Sequence, residues 1–176
     1  VWAMAQSTPV RVSFLEGGRW HPLPDWSAVG PGNETFELLA GRDGDGGIAL
    51  AVLVQGGSIG VWSRASWWPV ALPAGAGQVY SLAWHGSDLL IATDSGLLRL
   101  PDPGRTDAGV AAPVAGLPPG PAYAAVTHPT SGTLHIAGAG WFGELTPEGL
   151  RRQAGADSLR VIEPKFGVEA ARAPLG

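Results

Sequence analysis

The stretch VYSLAWHGSDLLIATDSGLLRLPD, from Val79 to Asp102, decides the fold class. Its apolar runs are separated by the polar turns His85–Asp88 and Asp94–Gly96, and they cover residues 79–84, 89–93 and 97–100. Short aliphatic and aromatic runs with Gly, Ser and Asp between them predict antiparallel strands in a meander. Pro101 ends the third run, because proline cannot donate the backbone hydrogen bond that a ladder needs.

The same spacing of turns recurs along the chain. Trp20 and Trp68 each open an aromatic, proline, Leu-Pro pattern and lie 48 residues apart, and Leu72 and Leu117 lie 45 apart. A fixed period of this length indicates a repeat architecture. We therefore expect strand-forming repeats over residues 9–169, divided into a partial unit at 9–24, full units at 35–73, 79–117 and 122–153, and the start of another at 158–169. The last strands of the first two full units are expected at 67–72 and about 110–115, and a strand at Ser158–Glu163 is expected to open the final unit.

Four strands in each 40–50 residues are typical of a β-propeller blade. The predicted second strands, Ile48–Val54, Leu89–Thr93 and Thr133–Ala137, are nearly all apolar. A strand buried on both faces loses the alternation of a one-sided sheet, as happens where blades stack face to face. We predict an all-β fold, part of a β-propeller with four-stranded antiparallel blades. A β-sandwich and a β-prism are the alternatives, and the fixed repeat length favours the propeller.

Composition agrees with a many-turned β fold. The chain has 27 Gly, 16 Pro and eight Trp in 176 residues. Its net charge of −4 and scattered Lys and Arg argue against nucleic acid as a partner. No apolar run of about 18 residues exists, so no membrane span is expected. The absence of Cys excludes disulfides and thiolate metal sites but does not choose a compartment.

Two stretches resemble known propeller families. Asp88–Leu100 resembles the blades of bacterial sensor and two-component-regulator propellers, with Leu90 where those blades usually have Trp and Leu98 where Tyr is usual. Gly132–Gly143 is similar to exported BNR-like and photosystem-assembly-factor-like propellers. The resemblance implies blade architecture in a bacterial protein, and many unrelated propellers share these patterns.

Three full units and two partial ones do not close the usual ring of six to eight blades. We expect a fragment of a longer chain, whose remaining blades close the ring, or closure by a second copy.

Residues 1–8 are expected to form an N-terminal tail, in which Ala3-Met4-Ala5 has the small-x-small spacing of a signal peptidase site. This predicts export to the periplasm or cell exterior, with a cytoplasmic location as the alternative. Residues 170–176 are expected to be irregular.

Few residues suggest chemistry. Asp43–Gly47 (DGDGG) begins like a calcium loop but lacks its later ligands, so a hairpin turn is the better interpretation. His135, alone in a buried-type strand, is expected to be a hydrogen-bonded core residue. Neither a cofactor nor a metal is predicted, and no catalytic residue is assigned. The possible ligand-face or surface residues are Trp67, Trp68, His85 and His128.

Trp67 and Trp68 are adjacent on a strand, so they point to opposite faces, and one could be exposed as a carbohydrate-binding surface. Packing between blades is the alternative. His85 and His128 fall at corresponding turns and are expected to be solvated.

The function that we expect is a non-catalytic binding or scaffold module of an exported or sensor-type protein. A small molecule, glycan or partner protein would bind loops on one face. The alternative is part of a sialidase-like glycoside hydrolase whose catalytic residues lie mostly elsewhere.

Overall fold

The computed structural model describes residues 2–5, 11–24, 35–54, 56–105, 109–146 and 149–152, and within these ranges all regular structure is β. None of the described residues belongs to a helix with the length and apolar character needed to cross a membrane. The strands, in chain order, are β1 Trp2–Ala5, β2 Arg11–Glu16, β3 Arg19–Pro22, β4 Thr35–Arg42, β5 Ile48–Val54, β6 Ile59–Ser63, β7 Ser66–Pro69, β8 Val79–His85, β9 Asp88–Thr93, β10 Gly96–Leu100, β11 Ala112–Pro113, β12 Ala122–Thr127, β13 Leu134–Gly138, β14 Trp141–Thr146 and β15 Gly149–Arg152.

These strands form four antiparallel meanders, in which each strand pairs with its neighbours in the sequence. Sheet I contains β1–β3, sheet II β4–β7, sheet III β8–β11 and sheet IV β12–β15. The predicted fold class is confirmed: the protein is all-β, and its three four-stranded antiparallel sheets resemble propeller blades. The sheets of the described ranges do not form a closed ring.

The middle strands are buried on both faces, as their apolar sequences predicted. In β5, Ala49 and Ala51 belong to a cluster shared with sheet III, whereas Leu50 and Val52 belong to a cluster shared with sheet I. All four are fully buried. Alternate side chains of one strand therefore enter two different inter-sheet cores, which is the packing that removes the hydrophobic–polar alternation.

The same division recurs in sheet III. Leu89 and Ile91 pack toward sheet II, and Leu90 and Ala92 pack toward sheet IV. Each apolar core thus lies between consecutive sheets, so the sheets stack in the order I, II, III, IV. A fully buried Leu or Ile stabilises the fold by roughly 1.5–3 kcal/mol, so these interfaces dominate the stability.

The first strands of sheets II, III and IV lie side by side and run in the same direction. β8 contacts β4 on one side and β12 on the other. Glu37 of β4 contacts the amide of Leu82, and two residues further along both strands the carbonyl of Leu39 accepts from the indole of Trp84. Because the second contact lies two residues further along both strands, β4 and β8 run in the same direction. The turns that follow β4, β8 and β12 therefore lie at one end of the stack.

Three predictions about strand limits are wrong. Residues 1–8 were expected to be a tail, but Trp2–Ala5 form β1, which pairs with β2 over four residues. The strand expected at 67–72 ends at Pro69, and the one expected at 110–115 shrinks to Ala112–Pro113. A single reason explains both shorter strands. Ala71 and Val110 form a bridge with each other, and the amide of Ala111 donates to the carbonyl of Ala71, so these residues link sheets II and III instead of extending them.

The strand expected at Ser158–Glu163, the remainder of the 158–169 unit and the tail at 170–176 lie outside the described residues.

Candidate functional site

A polar cluster occupies the end of the stack that holds the β4–β5 turn; we call it the charged end. The side chain of Asp43 organises this turn, because its Oδ1 accepts from the amides of Asp45 (3.1 Å) and Gly47 (2.7 Å) and its Oδ2 accepts from Ser63 Oγ (2.9 Å). Asp43 is only 4% exposed. The predicted hairpin turn is confirmed by the paired Asp43 amide and Gly47 carbonyl, 3.0 Å apart.

Burial alone would raise the pKa of Asp43. The hydrogen bonds from Ser63 and Gly47 and the positive charge of Arg64 outweigh burial and lower it below 3.8. The carboxylate is therefore ionised at neutral pH and is committed to holding the turn. A buried anion with three protein donors is a structural group rather than a free cation ligand.

Arg64 joins sheets II and III at the charged end. Its guanidinium lies 2.9 Å from Asp45 of the β4–β5 turn and 3.1 Å from Asp102, which follows β10. Asp102 also accepts from the amide of Gly44 at 2.8 Å. The pKa of Arg64 is raised, first because Asp45 accepts its hydrogen bonds and further because of Asp102. The pair with Asp45 therefore joins two turns of sheet II, and the pair with Asp102 joins sheet II to sheet III.

Backbone strain is concentrated at the same end. The non-glycine residues with positive φ in the described ranges are Arg64 (51°), Ala65 (60°) and Asp102 (38°). Such conformations cost roughly 1–2 kcal/mol per residue outside glycine. The first two form the tight β6–β7 turn, and their geometry places the guanidinium of Arg64 between Asp45 and Asp102.

The opposite end of the stack carries a pair of tyrosines; we call it the aromatic end. Tyr80 of β8 and Tyr123 of β12 meet edge to face, with ring centroids 5.2 Å apart and planes at 72°. Both rings are half-buried. Each lies where the register of its strand shifts, between Val79 and Ser81 in β8 and between Ala122 and Ala124 in β12. A bulge re-aims a side chain away from the regular pleat.

Asp94 completes the aromatic end. Its Oδ1 accepts from the hydroxyl of Tyr80 at 2.5 Å, and its Oδ2 accepts from the amide of Gln78 at 2.8 Å. The hydrogen bond from Tyr80 and that from Gln78 lower the pKa of Asp94 below 3.8. Asp94 is exposed, so an ionised carboxylate faces solvent beside Tyr80, whose ring in turn contacts that of Tyr123. This arrangement offers apolar ring surface and acceptor oxygens within one small area.

The structure separates the two predicted tryptophans, as their adjacency on one strand requires. Trp67 packs against the cluster between sheets I and II, and its indole donates to the carbonyl of Pro24 at 2.9 Å. Trp68 lies on the other face, and its indole donates to the carbonyl of Ser63 at 3.2 Å. Both are half-buried, which agrees with the packing alternative for each.

The two predicted histidines lie at the charged end and are exposed. His85 ends β8, and His128 follows β12 at the corresponding position. His128 has a local role, because its Nδ1 faces the amides of Thr130 (3.3 Å) and Ser131 (3.2 Å) and so holds the turn. No contact brings either histidine to Trp67 or Trp68, so within the described ranges the four predicted residues do not form one site.

His135 differs from its prediction. Its Nδ1 is buried with no hydrogen-bond partner among the described residues, and its ring stacks on Phe142 with centroids 6.0 Å apart. It lies on the face of sheet IV that looks away from sheet III, since its neighbours Leu134 and Ile136 enter the core between those sheets. The histidine that was expected to be hydrogen-bonded in the core instead stacks on Phe142, on the face of sheet IV that points away from sheet III.

Nothing in the described ranges concentrates reactive groups in a cavity. These residues hold no group of three or more His, Asp or Glu side chains placed to bind a metal ion. A shallow depression of about 340 Å³ lies beside the β14–β15 turn and is lined by Thr146, Gly149, Leu150 and Arg151. None of the candidate residues lines it.

Comparison with known proteins adds no family. No protein-family model matches the chain, and no curated protein matches its sequence.

Proposed function

We propose that this chain is a non-catalytic binding module that recognises a ligand at the aromatic end. The observation that carries the proposal is the Tyr80–Tyr123 contact, 5.2 Å between ring centroids, between the first strands of two successive sheets. Because both rings stand at register shifts rather than in the pleat, they are held at the end of the stack and away from its apolar cores.

The chemistry of the aromatic end suits a hydroxyl-rich ligand such as a glycan. Half-buried tyrosine rings supply rigid apolar area on which the C–H face of a sugar packs, and the hydroxyl of Tyr123 can exchange hydrogen bonds. Asp94 is ionised, and each of its oxygens keeps lone pairs besides those used by Tyr80 and Gln78. Ligand hydroxyl groups would donate to these oxygens while the rings exclude water.

Four carboxylates of the described residues are held in structural contacts, which supports a non-catalytic role. A glycosidase needs two carboxyl groups facing one substrate across roughly 5–10 Å. Here Asp43 holds a turn, Asp45 and Asp102 bind Arg64, and Asp88 binds Arg99 at 2.5 Å. Asp94 is a single acceptor at the aromatic end. These contacts favour binding over hydrolysis, which stays the competing function.

The proposal also includes a propeller family, which is a more specific assignment than the all-β fold class. Asp88–Leu100 resembles the blades of sensor-type propellers, and Gly132–Gly143 is similar to exported BNR-like ones. On that support we place the module in a bacterial exported or sensor-type propeller, with further blades or a second copy completing the ring. Secretion of the full-length protein into the culture medium or periplasm, measured with an epitope tag, tests the location.

A glycan array with a hydrolysis readout tests the function. We expect wild-type protein to bind at least one glycan class without cleaving it. Tyr123→Ala is expected to weaken this binding at least about fivefold, taking as a guide the stacking of a base on an aromatic ring, which contributes on the order of 1–3 kcal/mol.

Tyr123→Phe keeps the ring and is the matched control, and it should retain most of the affinity. Val110→Ala, at a residue 55% exposed and away from the tyrosines, controls for general surface changes. The proposal would be overturned if no glycan bound, if Tyr123→Ala left the affinity unchanged, or if a bound glycan were cleaved. Cleavage would establish the hydrolase alternative.

A further inference from the structure

Asp94 is a negative charge at the aromatic end that no cation of the described residues neutralises. Its oxygens accept from the hydroxyl of Tyr80 and the amide of Gln78, and these two neutral donors keep it ionised. No ion pair of the described ranges includes Asp94. By contrast, three other aspartates of sheets II and III each lie within 3.1 Å of an arginine nitrogen: Asp45, Asp88 and Asp102.

The arginines of residues 35–117, a range without lysine, lie at the charged end. One of them donates to a carbonyl of the β4–β5 turn, and three pair with the aspartates of that end: Arg42, and Arg64, Arg99 and Arg105 respectively. From Asp88 at the charged end to Thr93 at the aromatic end, the five residue steps of β9 span about 17 Å. This length exceeds the Debye length of about 8 Å at physiological ionic strength. The charge of Asp94 is therefore open to compensation by a ligand.

The tyrosine rings of the aromatic end form two walls of a corner. The planes of Tyr80 and Tyr123 meet at 72° with centroids 5.2 Å apart, so their faces are close to perpendicular. Because Asp94 accepts from the hydroxyl of Tyr80, the negative charge lies at the hydroxyl edge of one wall. The face of an aromatic ring attracts a cation within about 6 Å of its centroid, and more strongly where the ring is partly desolvated. Both rings are half-buried, which meets this condition.

The two tyrosines share a single carboxylate, because sheet IV has an alanine where sheet III has Asp94. The amide of Asp94 donates to the carbonyl of Gln78, and in the corresponding turn of sheet IV the amide of Ala139 donates to the carbonyl of Pro121, each at 3.1 Å. The hydroxyl of Tyr123 thus lacks the partner that Tyr80 has, and it makes no hydrogen bond to another described residue. It is left for a ligand.

We propose that the ligand of the aromatic end carries an ammonium group, which lies in the corner between the rings of Tyr80 and Tyr123 and donates to Asp94. This inference rests on the proposed glycan-binding function and narrows the ligand to a deacetylated amino sugar. Such a sugar keeps the apolar ring face and the hydroxyls of a neutral glycan and adds a cation with three N–H donors. The rings attract the charge, and the oxygens of Asp94 accept from it. A glycan that carries carboxylates would be repelled by Asp94.

Two oligomers with the same sugar skeleton test the inference with the full chain. One is a tetramer of glucosamine, which is cationic, and the other is its N-acetylated counterpart, which is neutral. Calorimetric titration at about pH 6 is suitable, because Asp94 is ionised there and the amino groups of the first tetramer are protonated. We expect the cationic tetramer to bind at least about fivefold more tightly. Its affinity should fall as NaCl is raised from about 50 to about 500 mM, whereas that of the neutral tetramer should stay nearly constant.

Asp94→Asn keeps an acceptor oxygen and removes the charge, so it should bring the affinities of the two tetramers within about twofold of each other. The neutral tetramer monitors the tyrosine pair in this variant, since it does not use the charge. Asp45→Asn is the matched control. It makes the same change in net charge at the charged end, where the Asp45 side chain is 79% exposed, and it should keep the preference for the cationic tetramer.

The inference would be overturned if the neutral tetramer bound as tightly as the cationic one, if an anionic glycan were preferred, or if Asp94→Asn kept the preference. Each of these results would leave the proposed function standing as long as Tyr123→Ala still weakened binding. Failure of both tetramers to bind would also overturn the inference. The glycan array would then decide separately whether the aromatic end binds a different glycan.

Discussion

Glu37 and Leu82 are joined across the interface between sheets II and III, where the carboxylate Oε2 of Glu37 accepts from the backbone amide of Leu82 at 2.8 Å. Burial raises the pKa of Glu37 above 4.5, although this hydrogen bond opposes the rise. The contact therefore combines a useful acceptor with an unfavourable buried charge. A group whose folded pKa is raised contributes stability below its unfolded pKa and loses it as pH rises through the folded value.

Replacing Glu37 with Gln should remove the cost of the charge and keep the acceptor. We expect Glu37→Gln to unfold at a higher urea concentration than the wild type at pH 8, with the difference vanishing near pH 3.5, where the wild-type carboxyl is protonated. Glu37→Ala is the control, because it leaves the amide of Leu82 without its acceptor and should destabilise the protein at both pH values. A pH-independent effect of Glu37→Gln on unfolding would show that the buried charge of Glu37 does not destabilise the wild type.

Asp43 and Asp45 provide a matched pair at the charged end. Asp43→Ala removes the acceptor of two backbone amides and of Ser63 Oγ, so we expect a loss of about 2–4 kcal/mol in the free energy of unfolding. The side chain of Asp45 is 79% exposed, and its pair with Arg64 is a surface ion pair, so Asp45→Ala should cost at most about 1 kcal/mol.

The acid side of the stability curve gives a second readout for Asp43. Because its pKa is lowered, its contribution is present above 3.8 and is lost as pH falls through the folded value. The melting temperatures of the wild type and of Asp43→Ala should therefore differ less as pH falls through the folded pKa, and the difference that remains reflects hydrogen bonds that the protonated carboxyl still accepts. If the two single variants were equally destabilised at pH 7, Asp43 would not be the organiser of the turn.

Strands were predictable where a local pattern determines them. The apolar runs of β5 and β9 indicated two-sided burial, and the Gly- and Asp-containing turns marked their ends. Trp2–Ala5 were missed because a four-residue strand has too short a pattern, and its identity depends on pairing with β2. Ala71 and Val110 were assigned to regular strands because their mutual bridge is a contact between residues distant in the sequence.

The candidate site was predicted less well than the fold. The sequence drew attention to Trp67 and Trp68 as rare adjacent aromatics, yet both indoles bond to nearby carbonyls within the packed sheets. Tyr80 and Tyr123 were overlooked because a register shift is not visible in composition. A signal was present, since an aromatic residue stands second in each of TFELLA, VYSLAW and AYAAVT. The turn predicted at Asp94–Gly96 is confirmed, but the hydrogen bond from Tyr80 to Asp94 joins residues that only the fold brings together.

The central claim is that consecutive sheets cover both faces of each middle strand, and β9 tests it most directly. Leu90 faces sheet IV and Ile91 faces sheet II, and they are 2% and 0% exposed. Urea denaturation should show that Leu90→Ala and Ile91→Ala each lower the free energy of unfolding by about 2–4 kcal/mol. Leu90→Asp should lower it by at least about 3 kcal/mol, because it buries an unpaired charge.

Val110→Ala, at a residue 55% exposed, is the control and should change the free energy by no more than about 0.5 kcal/mol. Large and comparable losses for Leu90→Ala and Ile91→Ala are the result that stacked sheets predict. A loss confined to one of the two, with the other as tolerant as Val110→Ala, would mean that one face of β9 is open to solvent and would contradict the account.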